Sequence, residues 1–182
     1  MAEYDGLKEV YLREKSIYHG RVFDVSERIV RLPNGKEAKR EIVTHKGAAA
    51  VVPVDDQGMV TLVRQYRTAH ETVMLEIPAG KLDSAAEDPL VCAHRELMEE
   101  TGLKAERMEP LIRMVPTPGY CTEAVTIYLA TGLSAGRAHP DEDEFLSVEQ
   151  MPLEDAAAMV MRGELEDAKT AIGLLMAYTK LR

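Results

Sequence analysis

Alternating apolar and polar positions dominate the first half of the chain, and this period of two predicts β-strands. The N-terminal part holds three such segments, and Pro33-Asn34-Gly35 marks a turn between the second and the third. Two later segments flank residues 55–58 and predict another hairpin, and one more leads into Pro78-Ala79-Gly80. The strands predicted in this half are 9–17, 21–32, 36–44, 48–54, 59–66 and 73–77.

Apolar residues recur at helical spacing after residue 88. Leu90, Ala93 and Leu97 lie three and four positions apart, which predicts a helix with a buried stripe. Asp88 is suited to cap its N-terminus and Gly102 to end it. Further along, the pattern predicts strands near 110–115, 125–130 and 145–149, and helices near 153–162 and 167–181. Because strands fill the first half and helices the middle and the end, the predicted fold class is α+β with a mixed sheet.

The N-terminal strands predict a subdomain of their own. Residues 1–46 form too few strands to bury a core, so they must pack on something else. We therefore divide the chain into an antiparallel β-strand subdomain over 1–46 and a main domain over 47–182. A second copy of the chain would supply the missing surface, and we expect a homodimer.

Composition narrows the class of protein. The 182 residues are 46% hydrophobic and 29% charged, a balance typical of globular domains. The 22 basic against 31 acidic residues give a net charge of −9, which disfavours binding to nucleic-acid phosphates. No apolar run approaches the roughly 18 residues of a membrane span. Cys92 and Cys121 form no CxxC pair, which excludes a disulfide scaffold or a cysteine zinc site. We expect a cytoplasmic protein without nucleic-acid or membrane partners.

The predicted central helix carries an unusual acidic face. Glu96 and Glu100 are four residues apart and share that face, and Glu99 flanks them. Like charges at this spacing repel by a few tenths of a kcal/mol. A divalent cation between them would remove that cost, and Mg²⁺ prefers a few carboxylates together with phosphate oxygens. On this helix alone, a solvated acidic face is the alternative.

The segment from Gly80 to Leu103 resembles the Nudix box. That signature is Gly, five residues, Glu, seven residues, then Arg-Glu-apolar-any-Glu-Glu-any-Gly-apolar. The spacing from Glu87 to Arg95 and the block that begins at Arg95 fit it, whereas six residues separate Gly80 from Glu87. The extra residue falls in the loop before the helix and leaves the acidic face intact.

Motifs outside the box resemble one branch of that family, the ADP-ribose pyrophosphatases. The resemblance implies Mg²⁺-dependent hydrolysis of the pyrophosphate of ADP-ribose to AMP and ribose 5-phosphate. It also implies a mixed sheet sandwiched between helices, an N-terminal strand subdomain and a homodimer. The motifs that carry it are Arg40-Glu41, Arg64-Gln65-Tyr66-Arg67, Glu76-Ile77-Pro78-Ala79-Gly80, Pro116-Thr117-Pro118-Gly119 and Glu142-Asp143-Glu144.

The resemblance also implies roles for the acidic residues. Catalysis is assigned to Glu142 as general base, with Glu144 as its rival, and to Arg95, which orients a metal-binding carboxylate. Glu87 is either a structural partner near the helix start or a metal contact. Mg²⁺ is the expected ion, with Mn²⁺ or Zn²⁺ as alternatives. The implied metal ligands are the carbonyl of Ala79 and the side chains of Glu96, Glu99, Glu100 and Glu144.

Substrate contacts follow from the same resemblance. Arg40 and Glu41 match residues that contact adenosine, often from the partner subunit of a domain-swapped dimer. Arg64 and Arg67 are candidates for phosphate contacts and Glu123 for a ribose hydroxyl, and each has a plain surface or ion-pair role as its alternative. Two other functions stay open: hydrolysis of another nucleoside diphosphate derivative, such as a nucleotide sugar or a dinucleotide, and a noncatalytic nucleotide sensor.

Overall fold

A computed structural model describes residues 5–137 and 145–182. A short 3-10 helix at Asp5–Leu7 precedes the first strand. The elements that follow are β1 (Val10–His19), β2 (Phe23–Arg31), β3 (Glu37–His45), β4 (Ala48–Pro53), β5 (Met59–Arg67), β6 (Thr72–Glu76), β7 (Ala79–Lys81), α1 (Pro89–Thr101), β8 (Leu103–Met114), β9 (Val125–Ala135), β10 (Leu146–Pro152), α2 (Leu153–Met161) and α3 (Ala168–Leu181). In the described part of the chain, no helix is long and apolar enough to cross a membrane.

The first of two compact units joins Met1–Lys46 with Thr117–Glu123. It is built on an antiparallel sheet in the order β1-β2-β3. Gly35, in the predicted turn between β2 and β3, has a φ of +84°, which glycine adopts without steric cost. The second segment of the unit, placed by the sequence in the main domain, is tied to β3 because the Val43 N–H donates to the Tyr120 carbonyl over 2.8 Å.

The second unit joins Gly47–Pro116 with Ala124–Arg182 and holds two sheets. One has the order β7-β4-β9-β8, and it is mixed because β4 and β9 run parallel while its other pairs are antiparallel. The other sheet, β10-β5-β6, is antiparallel. The predicted α+β class with a mixed sheet is thereby confirmed.

Strand β4 forms the centre of the unit and is covered on both faces, as its continuous apolar sequence indicates. Ala49 and Val51 belong to one buried cluster with Cys92 and Leu97 of α1 and Tyr128 of β9. Successive side chains of a strand point to opposite faces, so the residues between them face the other way. Helix α1 therefore covers one face of the mixed sheet.

The opposite face of the same sheet packs on the C-terminal helices. Ala50 and Val52 of β4 and Ile127 of β9 share a cluster with Leu174 and Ala177 of α3. Residues of α2 join this cluster. The mixed sheet thus lies between α1 and the α2–α3 pair, which confirms the predicted layering.

The predicted hairpin of segments 48–54 and 59–66 is wrong, because β4 lies in the mixed sheet and β5 in the antiparallel one, with an isolated bridge between Val54 and Val60.

Strands β7 and β8 also differ from the prediction. Strand β7 is only three residues long and contains Gly80, so it carries no period, and it forms through pairing with β4. Strand β8 was expected from residue 110 but begins at Leu103. Its first part, 103–110, pairs with β9 in one register, and the register shifts between Pro110 and Ile112, where the missing proline N–H fits a bulge.

Thr170 links α3 to the segment after β6 through a fully buried hydroxyl. This hydroxyl donates to Asp167 and accepts the Ile77 N–H over 2.9 Å. We predict that Thr170→Val lowers the free energy of unfolding by about 1–3 kcal/mol, because the buried Ile77 N–H loses its acceptor. Urea denaturation measures the loss, with Thr170→Ser as the control that keeps the hydroxyl. Equal stability of the two variants would contradict the prediction.

Candidate active site

Helix α1 carries the candidate metal ligands Glu96, Glu99 and Glu100. The Asp88 side chain accepts the Leu90 N–H and Gly102 ends the helix with a φ of +70°, so both predicted caps are confirmed. Glu96 and Glu100 are buried, at 7% and 3% exposure, and Glu99 is half-buried. Burial of a carboxylate is costly unless partners stabilise its charge.

Arg95 connects three of the carboxylates. Its Nη1 lies 2.5 Å from Glu96 and 3.4 Å from Glu99, and its Nη2 lies 3.6 Å from Glu87. Burial is the largest single influence and works to lower the pKa of Arg95, but the nearby negative charges, of which that of Glu96 is the strongest, together raise it. Nη2 also donates to the Lys81 carbonyl. Arg95 therefore forms ion pairs with Glu96, Glu99 and Glu87, and its role in orienting a metal-binding carboxylate stays a prediction.

The turn into β7 lies against the same carboxylates. The Ala79 N–H donates to Glu100 over 3.1 Å. A Cβ built on Gly80 would lie 2.0 Å from the carboxyl carbon of Glu96, a distance that atoms do not tolerate. Glycine is therefore required at position 80 for the Glu96 carboxylate to stay where it is.

Cys92 lies next to Glu96, and the sequence predicts no role for it. Its Sγ lies 3.5 Å from the Lys81 carbonyl and 3.9 Å from Glu96. Burial, together with the charge of Glu96, raises the pKa of the thiol to about 12. The thiol therefore stays protonated and packs, fully buried, beside Glu96. The sequence does indicate this contact, because Cys92 precedes Glu96 by four residues, which is one turn of a helix.

The donor set of this cluster fits a hard divalent cation. Glu87, Glu96, Glu99 and Glu100 supply carboxylate oxygens, the ligands that Mg²⁺ prefers, and they outnumber Arg95. Within residues 5–137 and 145–182, no three His, Cys, Asp or Glu side chains already meet as a metal-binding group. Glu96 instead contacts Arg95, and Glu100 accepts the backbone N–H described above.

A second feature of the unit is a cavity of about 570 Å³ whose wall includes Arg67, Glu76 and Lys169. Glu76 is 2% exposed, and Arg67 binds it in a bidentate manner over 2.6 and 2.7 Å. Lys169 donates to the same carboxylate and, over 2.9 Å, to Asp167. Burial would raise the pKa of Glu76, but hydrogen bonds and charges from Arg67 and Lys169 lower it to about 2.

Arg67 connects this cavity electrostatically with the acidic helix. Its hydrogen bond to Glu76 raises its pKa, burial opposes the shift, and the charge of Glu100 adds to it. Arg67 and Glu100 therefore lie within Coulombic reach of each other. The charge of Glu100 on the acidic helix is thus felt by a guanidinium on the cavity wall.

Arg64 has a different environment. It forms an ion pair with Glu149 over 2.6 Å, between β5 and β10. Arg64 and Arg67 are three residues apart on one strand, so their side chains leave opposite faces. Of the two candidate phosphate-binding arginines, Arg67 lines the cavity described above, and Arg64 pairs with Glu149 on the other face of the strand.

The remaining substrate candidates lie in the first unit. Arg40 pairs with Glu9 over 2.5 Å, and Glu41 is exposed. Glu123 lies 3.7 Å from Nδ1 of His45. Glu142 and Glu144, the two candidates for the general base, lie outside the described residues.

Comparisons with known proteins find relatives along nearly the whole chain. Residues 44–171 match the family described as the NUDIX domain. An ADP-ribose pyrophosphatase of Bacillus subtilis (strain 168) is 42% identical, over 92% of this chain and 91% of that protein. A methanol dehydrogenase activator of Bacillus methanolicus is 41% identical, over 92% and 91%. An ADP-ribose pyrophosphatase of Mycobacterium tuberculosis (strain ATCC 25618 / H37Rv) is 38% identical, over 98% and 86%. A solved structure of an ADP compounds hydrolase, 24% identical, has the same fold, with a TM-score of 0.83 over 96% of this chain and 94% of that one.

Proposed function

This chain belongs to the NUDIX domain family, and we propose that it hydrolyses the pyrophosphate of ADP-ribose to AMP and ribose 5-phosphate with Mg²⁺ as cofactor. The observation that carries the proposal is the buried pair Glu96 and Glu100 on one face of α1, held against Ala79 and Gly80. Two relatives named ADP-ribose pyrophosphatase support the choice of substrate.

The proposed metal ligands are Glu96, Glu99, Glu100 and the Ala79 carbonyl, joined by Glu144. When bound, a divalent ion screens the charge of the two phosphoryl groups and acidifies an attacking water. Arg95 holds the Glu96 carboxylate in place for that task. Oxygen ligands of this kind favour Mg²⁺, and Mn²⁺ and Zn²⁺ are the ions to test against it.

The remaining roles in the proposal come from the resemblance of the motifs. Glu142 takes a proton from the attacking water, with Glu144 as the rival base. Arg67 contacts a phosphate, a role that its position at the cavity wall supports. The other proposed contacts are Arg40 and Glu41 with adenosine, Arg64 with phosphate and Glu123 with a ribose hydroxyl. We place the reaction in the cytoplasm, with neither nucleic acid nor membrane as partner.

We also propose a homodimer, on the basis of apolar side chains that the first unit leaves exposed. Tyr11, Ile17, Tyr18 and Phe23 are 58%, 56%, 54% and 42% exposed. The rings of Tyr18 and Phe23 are in contact, with centroids 5.9 Å apart, and an exposed apolar patch is typical of protein contact surfaces. Light scattering is expected to give twice the 20.2 kDa of one chain. A mass of one chain at working concentration would exclude the dimer.

Two other functions compete with this one. Hydrolysis of a nucleotide sugar or a dinucleotide would use the same acidic helix, because that helix binds the pyrophosphate and not the ends of the substrate. A noncatalytic sensor has no need of a metal-binding cluster, so the presence of Glu96, Glu99 and Glu100 favours an enzyme. Because one relative is named a methanol dehydrogenase activator, a regulatory function is tested as well.

One experiment separates these functions. The protein is incubated with Mg²⁺ and ADP-ribose, ADP-glucose, GDP-mannose, NADH or diadenosine polyphosphates, and the products are quantified by chromatography. Preference for ADP-ribose, with AMP as product, supports the proposal. Preference for another compound would replace the substrate and keep the chemistry, and no turnover would favour the sensor.

Glu142→Gln is assayed alongside, and turnover near that of the unsubstituted protein would exclude Glu142 as base.

A further inference from the structure

Glu76 is a buried carboxylate that holds two cations at once. Arg67 reaches it from β5 and Lys169 from the first turn of α3. One cation suffices to neutralise a carboxylate, and burial of each additional charge carries a desolvation cost. Because Lys169 also pairs with Asp167, the two cations face two carboxylates, and what they can offer a ligand is spare hydrogen-bond donors rather than excess charge.

Among residues 5–137 and 145–182, both cations keep donors that no hydrogen bond occupies. A guanidinium has five N–H groups and an ammonium has three. Arg67 gives Glu76 its Nε and Nη2, and for the described residues no hydrogen bond involves its Nη1. Lys169 gives one donor to Glu76 and one to Asp167, which leaves one. The spare donors belong to two side chains that line the same cavity.

Asp167 keeps Lys169 in this position. Its Oδ2 accepts the Thr170 N–H over 3.0 Å and also the Thr170 hydroxyl, so the carboxylate is fixed at the start of α3. The side chain of Lys169 is 15% exposed and lies between two anchored carboxylates. Its ammonium is thereby ordered before any ligand arrives, which lowers the entropic cost of binding.

We propose that Lys169 is a further substrate-binding residue, whose ammonium binds a phosphate oxygen of the pyrophosphate beside Arg67, and that Glu76 is the positioning residue that holds both cations. The proposal rests on the proposed function, because it takes the pyrophosphate to lie between the acidic helix and this cavity wall. That placement is supported by the chain itself, because Glu76 ends β6 only three residues before Ala79, whose N–H donates to Glu100.

The test compares Lys169→Met, which removes the charge at similar length, with Lys169→Arg, which keeps it. We expect Lys169→Met to lower kcat/KM by about 10- to 100-fold, the usual worth of a hydrogen bond to a charged group. Lys169→Arg is expected to recover most of that loss. The matched control is Lys180→Met on the same helix, where Lys180 pairs with the exposed Glu109 over 2.7 Å, and it should leave kcat/KM unchanged.

A second measurement does not depend on turnover. Calorimetry with methylenediphosphonate and Mg²⁺ reports binding of the pyrophosphate group itself, and Lys169→Met should weaken it by a factor similar to the loss in kcat/KM. Thermal unfolding of each variant identifies a loss that comes from the fold. Equal kinetics and equal diphosphonate affinity for Lys169→Met and Lys180→Met would overturn the proposal and leave Lys169 a structural partner of Glu76.

The two proposals fail in different ways. If the protein prefers another nucleoside diphosphate derivative, the ADP-ribose assignment fails, and the Lys169 comparison is made with that compound. If it hydrolyses none of them, the diphosphonate titration alone decides. An unsubstituted protein that does not bind methylenediphosphonate would overturn the role of Lys169 as well.

Discussion

Replacement of Glu100 by Gln is expected to lower kcat/KM roughly 10³-fold, since metal ligation contributes several kcal/mol to charge stabilisation in the transition state. Glu100 is 3% exposed and accepts the Ala79 N–H. The amide oxygen of Gln can accept that same N–H, so the turn into β7 keeps its contact. The substitution removes the negative charge, and with it the ability to bind a divalent ion strongly.

Three measurements establish whether the effect is one of metal binding. Steady-state kinetics with ADP-ribose gives the loss, calorimetry with Mg²⁺ gives the change in metal affinity, and thermal unfolding checks the fold. Glu154→Gln, at an exposed position in the first turn of α2, is the matched control and should behave like the unsubstituted protein. A Glu100→Gln variant that keeps more than a tenth of the activity would remove Glu100 from the set of metal ligands.

The features that the sequence predicted well are those set by neighbouring residues. The ends of α1 depend on Asp88 and Gly102, which act within one turn of the helix, and both were found at the predicted caps. The spacing of Glu96 and Glu100 places them on one face of any helix. The apolar run at 48–54 likewise predicted a strand, which is β4, but not its place at the centre of the mixed sheet.

Contacts between distant parts of the chain could not be obtained in this way. Lys169 meets Glu76 across 93 positions, and no local pattern indicates that they are partners. The parallel pairing of β4 with β9 is equally nonlocal. The sequence does distinguish Arg64 from Arg67. They are three residues apart on one predicted strand, so their side chains lie on opposite faces and cannot both contact the same phosphate.

Gly80→Ala is expected to weaken both metal affinity and kcat/KM by about 10- to 100-fold, the usual effect of disturbing a residue that supports a metal ligand. The added Cβ would lie 2.0 Å from the Glu96 carboxyl carbon, so the carboxylate must turn away. Gly80 itself contributes no side chain, and its effect is exerted through Glu96. Gly6→Ala is the matched control, because a Cβ there meets no atom within 4 Å.

A double-substitution cycle separates displacement of Glu96 from a general disturbance of β7. Once Glu96→Ala has removed the carboxylate, Gly80→Ala has nothing left to displace and should cost little more activity. Residues in contact show such non-additivity, whereas independent sites add. Magnesium titration and kcat/KM are measured for the two single variants and the double variant. Additive losses would mean that Gly80 acts through the pairing of β7 with β4. In that case Arg95, and not the close approach of the glycine, would hold the Glu96 carboxylate in position.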